Sequence, residues 1–552
     1  MIGNVLAPWI GLALVVGAGG ADPSPAAKPV HVRIQTEAGD IEVALDAAKA
    51  PRTVANFLKY VDGNFYDGGR FHRTVTPTNQ PANQVKIEVI QAGINPDRLK
   101  DEFKPIPLER TRETGLKHTN GTISMARDGP DTATSDFFIC IGDQPELDFG
   151  GRRNPDGQGF AAFGQVVRGM AVVKRIQQAP ADKQTLQPPV KILRITRLPT
   201  PDNPPASLAP FFTPPAQWAG QLGAYRSPLL FDDGTPVRTP ADWQKRRAQI
   251  RTYWHKQLGE WPALLEKPRL EYRAKERRGT VTQHQIAIET APGRTVEDAY
   301  LLVPDGPGPF PAVVVVFYEA RTGIGLGKAN HCDFALQLAQ RGFVTLSLGG
   351  DPNTYYPTRE TCRIQPLSFH AYETANCCTA LAGLPYVDPG RIGIVGHSYG
   401  GKWALFAAAF HDSFACAAWS DPGSVFDETR GNVNYWEPWY LGFEPGQVPR
   451  KPGIPNQQNP RTGPYKQLIA DGRDLHELHA LIAPRPFFVS GGSEDPPERW
   501  TALNHTVAVN KLLGFDQRVG MTNRKGHAPT EESNAQLYQF FEWVLRPTPP
   551  KK

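Results

Sequence analysis

The sequence predicts two units of different fold class, an antiparallel β domain followed by an α/β domain whose mostly parallel sheet is flanked by helices. Three observations carry this. Short strand-like runs joined by tight turns dominate the chain before the split near residue 205. From residue 312 onward, apolar runs of strand length (312–317, 343–348, 392–395 and 487–490) alternate with amphipathic helices, as in a parallel sheet covered on both faces. Between the two lies 197–215, with prolines at 199, 201, 204, 205, 210, 214 and 215. Proline removes an amide donor and fixes φ, so this stretch is expected to be a semi-rigid extended connector. At 552 residues the chain also exceeds what one hydrophobic core usually supports. The expected units are a leader over 1–21, a first domain over 28–200, a linker over 201–216 and a second domain over 217–548.

Composition narrows the function classes. Hydrophobic residues at 40% and charged residues at 21% describe ordinary globular material. A net charge of +5 is small for this length and gives no reason to expect nucleic acid as a partner. Residues 1–21 are apolar and end in small residues, Gly19 and Ala21, before Asp22-Pro23. This reads as a secretory leader cut after Ala21, leaving a periplasmic or secreted protein with no membrane span. Because no Lys or Arg precedes the apolar run, an uncleaved anchor is the alternative. The six cysteines (140, 332, 362, 377, 378 and 416) form no CxxC pair that would suggest zinc or redox chemistry. An oxidising compartment would permit a bridge or two among the last five, and buried small side chains are the other reading.

In the first unit Val30, Val32 and Ile34 alternate, turn at Gly39-Asp40 and resume at Ile41 through Leu45, a hairpin pattern. A helix follows with Val54, Phe57, Leu58 and Val61 on one face. Then come Phe71-His72-Arg73, Val89-Ile90-Gln91-Ala92-Gly93, the run GTISMARDGPDTATSDFFICIGDQPELD at 121–148 and FAAFGQV at 160–166. Over roughly residues 30–198 this set resembles the cyclophilin family of peptidyl-prolyl isomerases. The resemblance implies a closed eight-stranded antiparallel barrel capped by two helices, with no cofactor and with proline-containing polypeptides as partners. By motif position it makes Arg73 the catalytic guanidinium, lets Gln91 steady the substrate, and has Phe71, Phe138 and Leu147 line the pocket for the proline ring.

The chemistry is plain from the bond. Rotating an X-Pro peptide destroys amide resonance, a barrier of ~18–20 kcal/mol. In the twisted state the prolyl nitrogen regains a lone pair, and a fixed guanidinium aimed at it stabilises that state over either planar one. Four positions depart from the family pattern. Asp136 replaces a usual glutamine, Glu146 a frequent tryptophan and Phe160 a frequent histidine. Glu88 fills an often aromatic place after the long connection 74–86. Asp136 is positioned in sequence to pair with Arg73, and a domain that only binds Pro-containing peptides is the alternative. Without the tryptophan, tight cyclosporin binding is not expected.

The second unit opens with a helix from about Pro240, carrying Trp243, Ile250, Trp254 and Leu258 inward, with Lys245, Arg246, Arg251 and Lys256 on a face expected to be solvated. Gly396-His397-Ser398-Tyr399-Gly400 follows a buried strand run and opens a helix. That strand–turn–helix elbow marks a nucleophilic serine of the α/β-hydrolase kind, with the Tyr399 N–H facing the oxyanion. Serine needs a base, and His527, before the final helix, is the candidate. Two acids compete, Asp495 after the run 487–490 and Asp421 after the strand next to the nucleophile. Strand position in such folds favours Asp495 slightly. His476-Glu477-Leu478-His479 has the wrong spacing for a zinc-binding helix, so no metal is expected.

Lys402, Asp421, the stretch 476–486 and Trp500 resemble bacterial glucuronoyl esterases and the neighbouring acetyl xylan esterase and dienelactone hydrolase groups. The resemblance implies that Lys402 and Trp500 contact a sugar and that the substrate is a small-molecule or carbohydrate ester. The serine of glucuronoyl esterases sits in Gly-Cys-Ser-Arg-Asn-Gly, however, and here Tyr399 offers no charge to a carboxylate. A peptidase or thioesterase, or two domains acting only as binding modules, are the rival readings.

Overall fold

The computed structural model describes residues 30–197, 203–327, 329–448 and 450–545. The expected leader over 1–21 and its cleavage position lie outside the described residues.

The first unit is built from β1 (Val30–Thr36), β2 (Gly39–Leu45), β3 (Arg70–Val75), β4 (Val89–Gly93), β5 (Thr122–Met125), β6 (Phe137–Cys140), β7 (Ala161–Arg168), β8 (Ala181–Asp182) and β9 (Thr185–Arg197). Eight of them form an antiparallel ring in the order β1-β2-β7-β5-β6-β4-β3-β9, closed by β1 on β9, while the two-residue β8 pairs only with β9. The expected hairpin pairs Thr36 with Gly39. Alternation turns Val32, Ile34, Ile41, Val43 and Leu45 fully inward. Helices Pro51–Asp62 and Met170–Gln177 cap the ring. Val54, Phe57, Leu58 and Val61 of the first are buried, and Phe57 meets the edge of Phe137 at 5.5 Å.

The second unit has β10 (Leu270–Arg278), β11 (Val281–Ala291), β12 (Arg294–Pro304), β13 (Phe310–Phe317), β14 (Val344–Gly349), β15 (Val387–His397), β16 (Cys416–Ser420), β17 (Phe487–Gly491) and β18 (Val519–Asn523). Their order is β10-β11-β12-β14-β13-β15-β16-β17-β18, antiparallel through β12 against β14 and parallel thereafter. Val314 and Val316 of β13 pack on one face and Val313 and Val315 on the other, which is why these strands read as unbroken apolar runs. Helices Pro366–Ala382 and Tyr399–Phe410 cover the first face, and helix Glu531–Leu545 covers the second.

Two expectations about surface segments fail. Residues 203–216 do not stand free as a connector. Leu208 and Phe212 are buried, and Phe212 stacks on Phe488 and Phe540 and meets Trp543 edge-on. Proline dictates extended turns but not exposure, and the apolar residues between the prolines fold this segment onto the second unit. On helix Pro240–Leu258, Arg246 is fully buried rather than solvated. Its Nη1 donates to Asp232 at 2.8 Å, and Nη2 lies 3.7 Å from Glu477. Arg251 likewise reaches Asp412. The six cysteines are free thiols, five of them buried.

Candidate active sites

In the second unit β15 ends at His397, the chain turns at Ser398 with φ 52° and ψ −114°, and helix Tyr399–Phe410 begins. A positive φ on a non-glycine residue costs on the order of 1–3 kcal/mol and persists only where the surroundings enforce it. The two motif glycines enforce it here. A Cβ on Gly396 would lie 2.2 Å from the Gly400 carbonyl, and one on Gly400 would lie 1.9 Å from the Val316 carbonyl oxygen. The turn is tied to β16 by the Ser398 N–H, which donates to the Ser420 carbonyl at 2.8 Å.

Ser398 Oγ is 2.9 Å from His527 Nε2, and His527 Nδ1 is 2.8 Å from Asp421 Oδ2. The half-buried serine and histidine thus meet a fully buried carboxylate. Asp421 sits just past β16 at φ 51°, and its other oxygen accepts the backbone N–H groups of Glu494 (3.1 Å) and Asp495 (2.8 Å). Gly492 makes the approach possible, since a Cβ there would lie 2.6 Å from Asp421 Oδ2.

The preference for Asp495 is therefore corrected. The Asp495 side chain faces the following loop and accepts the backbone N–H groups of Gly423 and Ser424. Burial, and then the nearby Asp421 charge, push its carboxyl up to about 6. The histidine loop is held by Arg524, which donates to the Ser490 carbonyl (2.8 Å), Ser420 Oγ (3.0 Å) and the His527 carbonyl. His397 lies 4.8 Å from the His527 ring, ring to ring. Burial drives its pKa down to about 3, so it stays neutral beside a histidine that must gain a proton.

Tyr399 starts its helix, so its N–H has no intrahelical acceptor and is available to an oxyanion at Ser398. Lys402 and Trp500 are each only 2% exposed, which corrects the expectation that they contact a sugar. Lys402 Nζ donates to the carbonyls of Pro422 and Asn432 and lies 4.9 Å from the Tyr435 ring centroid. It fastens the loop after Asp421, and its burial lowers its pKa to about 8. Trp500 belongs to the main core.

In the barrel, Arg73 projects from β3 into an open cavity of about 450 Å³. Its Nη1 donates to Gln91 Oε1 at 3.0 Å, and Nε and Nη2 donate to Gln184 Oε1 at 2.9 and 2.6 Å. Asp136 does not take Arg73. It accepts from Gln91 Nε2 at 3.2 Å and lies 3.7 Å from His72. Phe138 and Leu147 line the cavity as expected, together with Ile87, Val89, Ala126 and Phe160. Phe71 does not line it, a further correction. It is fully buried inside the barrel against Phe137 at 5.9 Å. Phe71 pairs with Ala92 but Arg73 with Gln91, so a bulge at His72 consumes one residue. Two residues that alternation would place on one face thereby point to opposite faces.

The family model for cyclophilin type peptidyl-prolyl cis-trans isomerases matches residues 31–197. The peptidyl-prolyl cis-trans isomerase A of Dickeya dadantii is 39% identical over 153 residues, 28% of this chain and 73% of that protein. Peptidyl-prolyl cis-trans isomerase B of Escherichia coli is 36% identical over 147 residues, covering 26% and 83%. Through its barrel, the chain belongs to the cyclophilin family. The second unit matches the prolyl oligopeptidase family model over residues 370–451, which include Ser398 and Asp421. Among solved structures, a glucuronoyl esterase from Solibacter usitatus aligns at TM-score 0.45 and 17% identity, over 58% of this chain and 98% of its own. A cyclophilin of Cryptosporidium parvum aligns at TM-score 0.26 and 23% identity, over 31% and 99%.

Within the cyclophilin barrel, sequence reasoning missed Gln184, which lies in the turn between β8 and β9 and holds the Nε–Nη2 edge of the guanidinium. No local signal marks it, because its partner is 111 residues away. The roles of Ile87 and Val89 in the floor had a signal. They follow the long connection 74–86 in the alternation that leads into Gln91.

Proposed function

We propose that this chain is a bifunctional enzyme, a peptidyl-prolyl cis-trans isomerase joined to a serine ester hydrolase. The observation that carries the second activity is the continuous relay from Asp421 through His527 to Ser398, at 2.8 and 2.9 Å. In this reading His527 Nε2 takes the Ser398 proton as Oγ attacks the ester carbonyl, and the proton then passes to the departing alcohol. Asp421 fixes the tautomer that leaves Nε2 free and stabilises the imidazolium. The Tyr399 amide stabilises the oxyanion, and water repeats the sequence to release the acid. A fluorophosphonate probe should label the wild type and leave Ser398→Ala unlabelled. Equal labelling of both would place the nucleophile elsewhere.

In the isomerase, Arg73 supports a twisted prolyl amide, and Phe138, Leu147 and Phe160 supply the apolar floor for the ring. The Gln91 and Gln184 bonds hold the guanidinium in place before substrate arrives, which favours catalysis over mere peptide binding. Exchange of an X-Pro peptide, slow enough unaided to take tens of seconds or more, tests this directly.

For the hydrolase we favour a carbohydrate ester, a reading that rests on the stretch 476–486 and on the esterase resemblance. A prolyl peptidase is the second reading, favoured by the family match over 370–451. Nitrophenyl acetate, a methyl glucuronate and a Pro-containing peptide amide, compared on the full chain, separate the two. The apolar run 1–21 supports export, and mature protein from an extracytoplasmic fraction should begin near Asp22. An intact Met1 in cytosolic protein would overturn that.

A further inference from the structure

Where the cyclophilin barrel docks on the hydrolase, a cavity of about 80 Å³ is lined by His31, Arg33, Glu42 and Arg168 from one side and by Arg485 and Arg518, among others, from the opposite side. It shares no lining residue with the Arg73 cavity and contains none of Ser398, His527 and Asp421. The docking itself is tight. The His31 and Phe515 rings lie 4.2 Å apart, and Gln244 donates to the Val167 carbonyl.

Two buried nitrogens on this wall have no hydrogen-bond acceptor among the described residues, namely His31 Nε2 and Arg518 Nε. Their residues are 4% and 7% exposed. Native interiors rarely leave such donors unmet, because each loses its hydration without replacement.

Charge points the same way. Glu42, the carboxylate on the wall, is already shared by Arg33 at 3.0 Å and Arg168 at 3.1 Å. Asp412, near Arg485 at 3.3 Å, is also shared by Arg247 and Arg251. Arg518 forms no direct ion pair among the described residues, feels the Asp516 carboxylate only at longer range, and lies over the Phe515 ring at 4.8 Å. Water could meet the hydrogen-bonding deficit but not the charge, and a buried guanidinium without a counter-ion is the costly arrangement. Guanidinium forks match oxyanions in two-point contacts. A water needs roughly 10–15 Å³ of such space, so the volume would hold several waters or one compact anion in their place.

We propose that this cavity binds a compact oxyanion of phosphate size, which joins the two domains by bridging His31 of the barrel to Arg518 of the hydrolase. The site is independent of both proposed activities.

The test uses the full chain. Melting temperature is measured in phosphate, sulfate or acetate against chloride at matched ionic strength, and phosphate binding is titrated calorimetrically on the wild type. A saturable rise in melting temperature with phosphate and sulfate, at one phosphate per chain, is the expected result. An equal rise with acetate would identify a carboxylate as the source of the oxyanion. Arg518→Gln should remove the rise while nitrophenyl acetate turnover is unchanged, and Arg518→Lys should weaken phosphate binding about tenfold through loss of the planar fork. Identical melting in phosphate and chloride with no calorimetric binding would mean that water alone fills the cavity. A rise retained in Arg518→Gln would place the anion elsewhere. Either result overturns the proposal.

Discussion

The two sites are built by opposite means. Arg73 stands within a strand, and its working direction is set by ladder register and by one bulge at His72. Its partners Gln91 and Gln184 are neutral, and the cavity before it is open. The serine site instead gathers residues from the ends of β15, β16 and β18, and it needs strained backbone at both Ser398 and Asp421. Its acid is fully buried and held by backbone N–H groups. The difference follows from the chemistry. Prolyl rotation moves no proton and needs a fixed donor beside an apolar floor. Acyl transfer moves a proton twice, so a base and its acid must be locked in line.

The largest expected effects therefore lie in the serine relay. Ser398→Ala should reduce ester turnover by at least ~10⁴-fold, in keeping with losses at such nucleophiles. Asp421→Asn keeps the shape but removes the charge and disturbs the His527 tautomer, and it should cost between ~10² and ~10⁴ in kcat. Asp495→Asn should cost less than about tenfold, because its side chain bonds to the amides of Gly423 and Ser424 and to neither Ser398 nor His527. Steady-state kinetics on nitrophenyl acetate check the order, and a larger loss at Asp495 than at Asp421 would break the assignment.

That choice of acid also shows what the sequence could and could not disclose. The strands of the parallel sheet and the serine elbow were legible because burial on both faces writes an apolar run and the elbow demands small residues at Gly396 and Gly400. Asp421 directly follows β16 and Asp495 lies in the loop after β17, both strands on the same side of the nucleophile strand, so local pattern could not rank them. The decision was made by Gly492, which lets the segment 492–495 turn its N–H groups onto Asp421. The barrel was legible from motifs spread along the chain, yet Phe71 was assigned to the pocket by motif position, and the bulge that turns it inward leaves no mark in the sequence. Lys402 was read as a sugar contact from the esterase resemblance, and Arg246 as solvated because its type is usually exposed. Each is buried where carbonyls or carboxylates from distant segments receive it.

In the barrel the effects should be smaller. Arg73→Ala removes the only cation held at the cavity by both glutamines and should cost ~10²-fold in exchange rate, the scale of losing one fixed donor. Exchange measured by NMR on a Pro-containing peptide checks it, with an unchanged melting temperature expected. Gln184→Ala leaves Arg73 its Gln91 bond but frees Nε and Nη2. A loss of about tenfold or less is expected, mostly in kcat, since a loosened guanidinium still binds but is no longer preorganised. A loss equal to that of Arg73→Ala would mean that Gln184 touches substrate itself.

The smallest expected effect is at Asp136, and it sharpens the contrast between a neutral site and a charged one. If the isomerase requires only a free guanidinium, an acid that does not reach Arg73 should matter little, although Gln91 bonds to both residues. Asp136→Asn should change the exchange rate of an uncharged peptide by less than about threefold, well below the loss for a fixed donor. An increase beyond tenfold would mean that the carboxylate draws Gln91 away from its substrate position. Stability supplies a second readout with a definite sign. Burial, the leading cause, raises the Asp136 carboxyl above the usual carboxylate range, with His72 and the Gln91 bond opposing it. A raised acid binds its proton more tightly in the folded state than in the unfolded chain. Its ionised form therefore opposes folding above the folded pKa, and this contribution vanishes once pH falls below the ordinary value. Asp136→Asn should accordingly raise the melting temperature slightly at pH 7 and leave it unchanged near pH 3. The reverse pattern, with a lower melting temperature at pH 7, would show that the His72 and Gln91 contacts outweigh burial and that Asp136 is there to hold them.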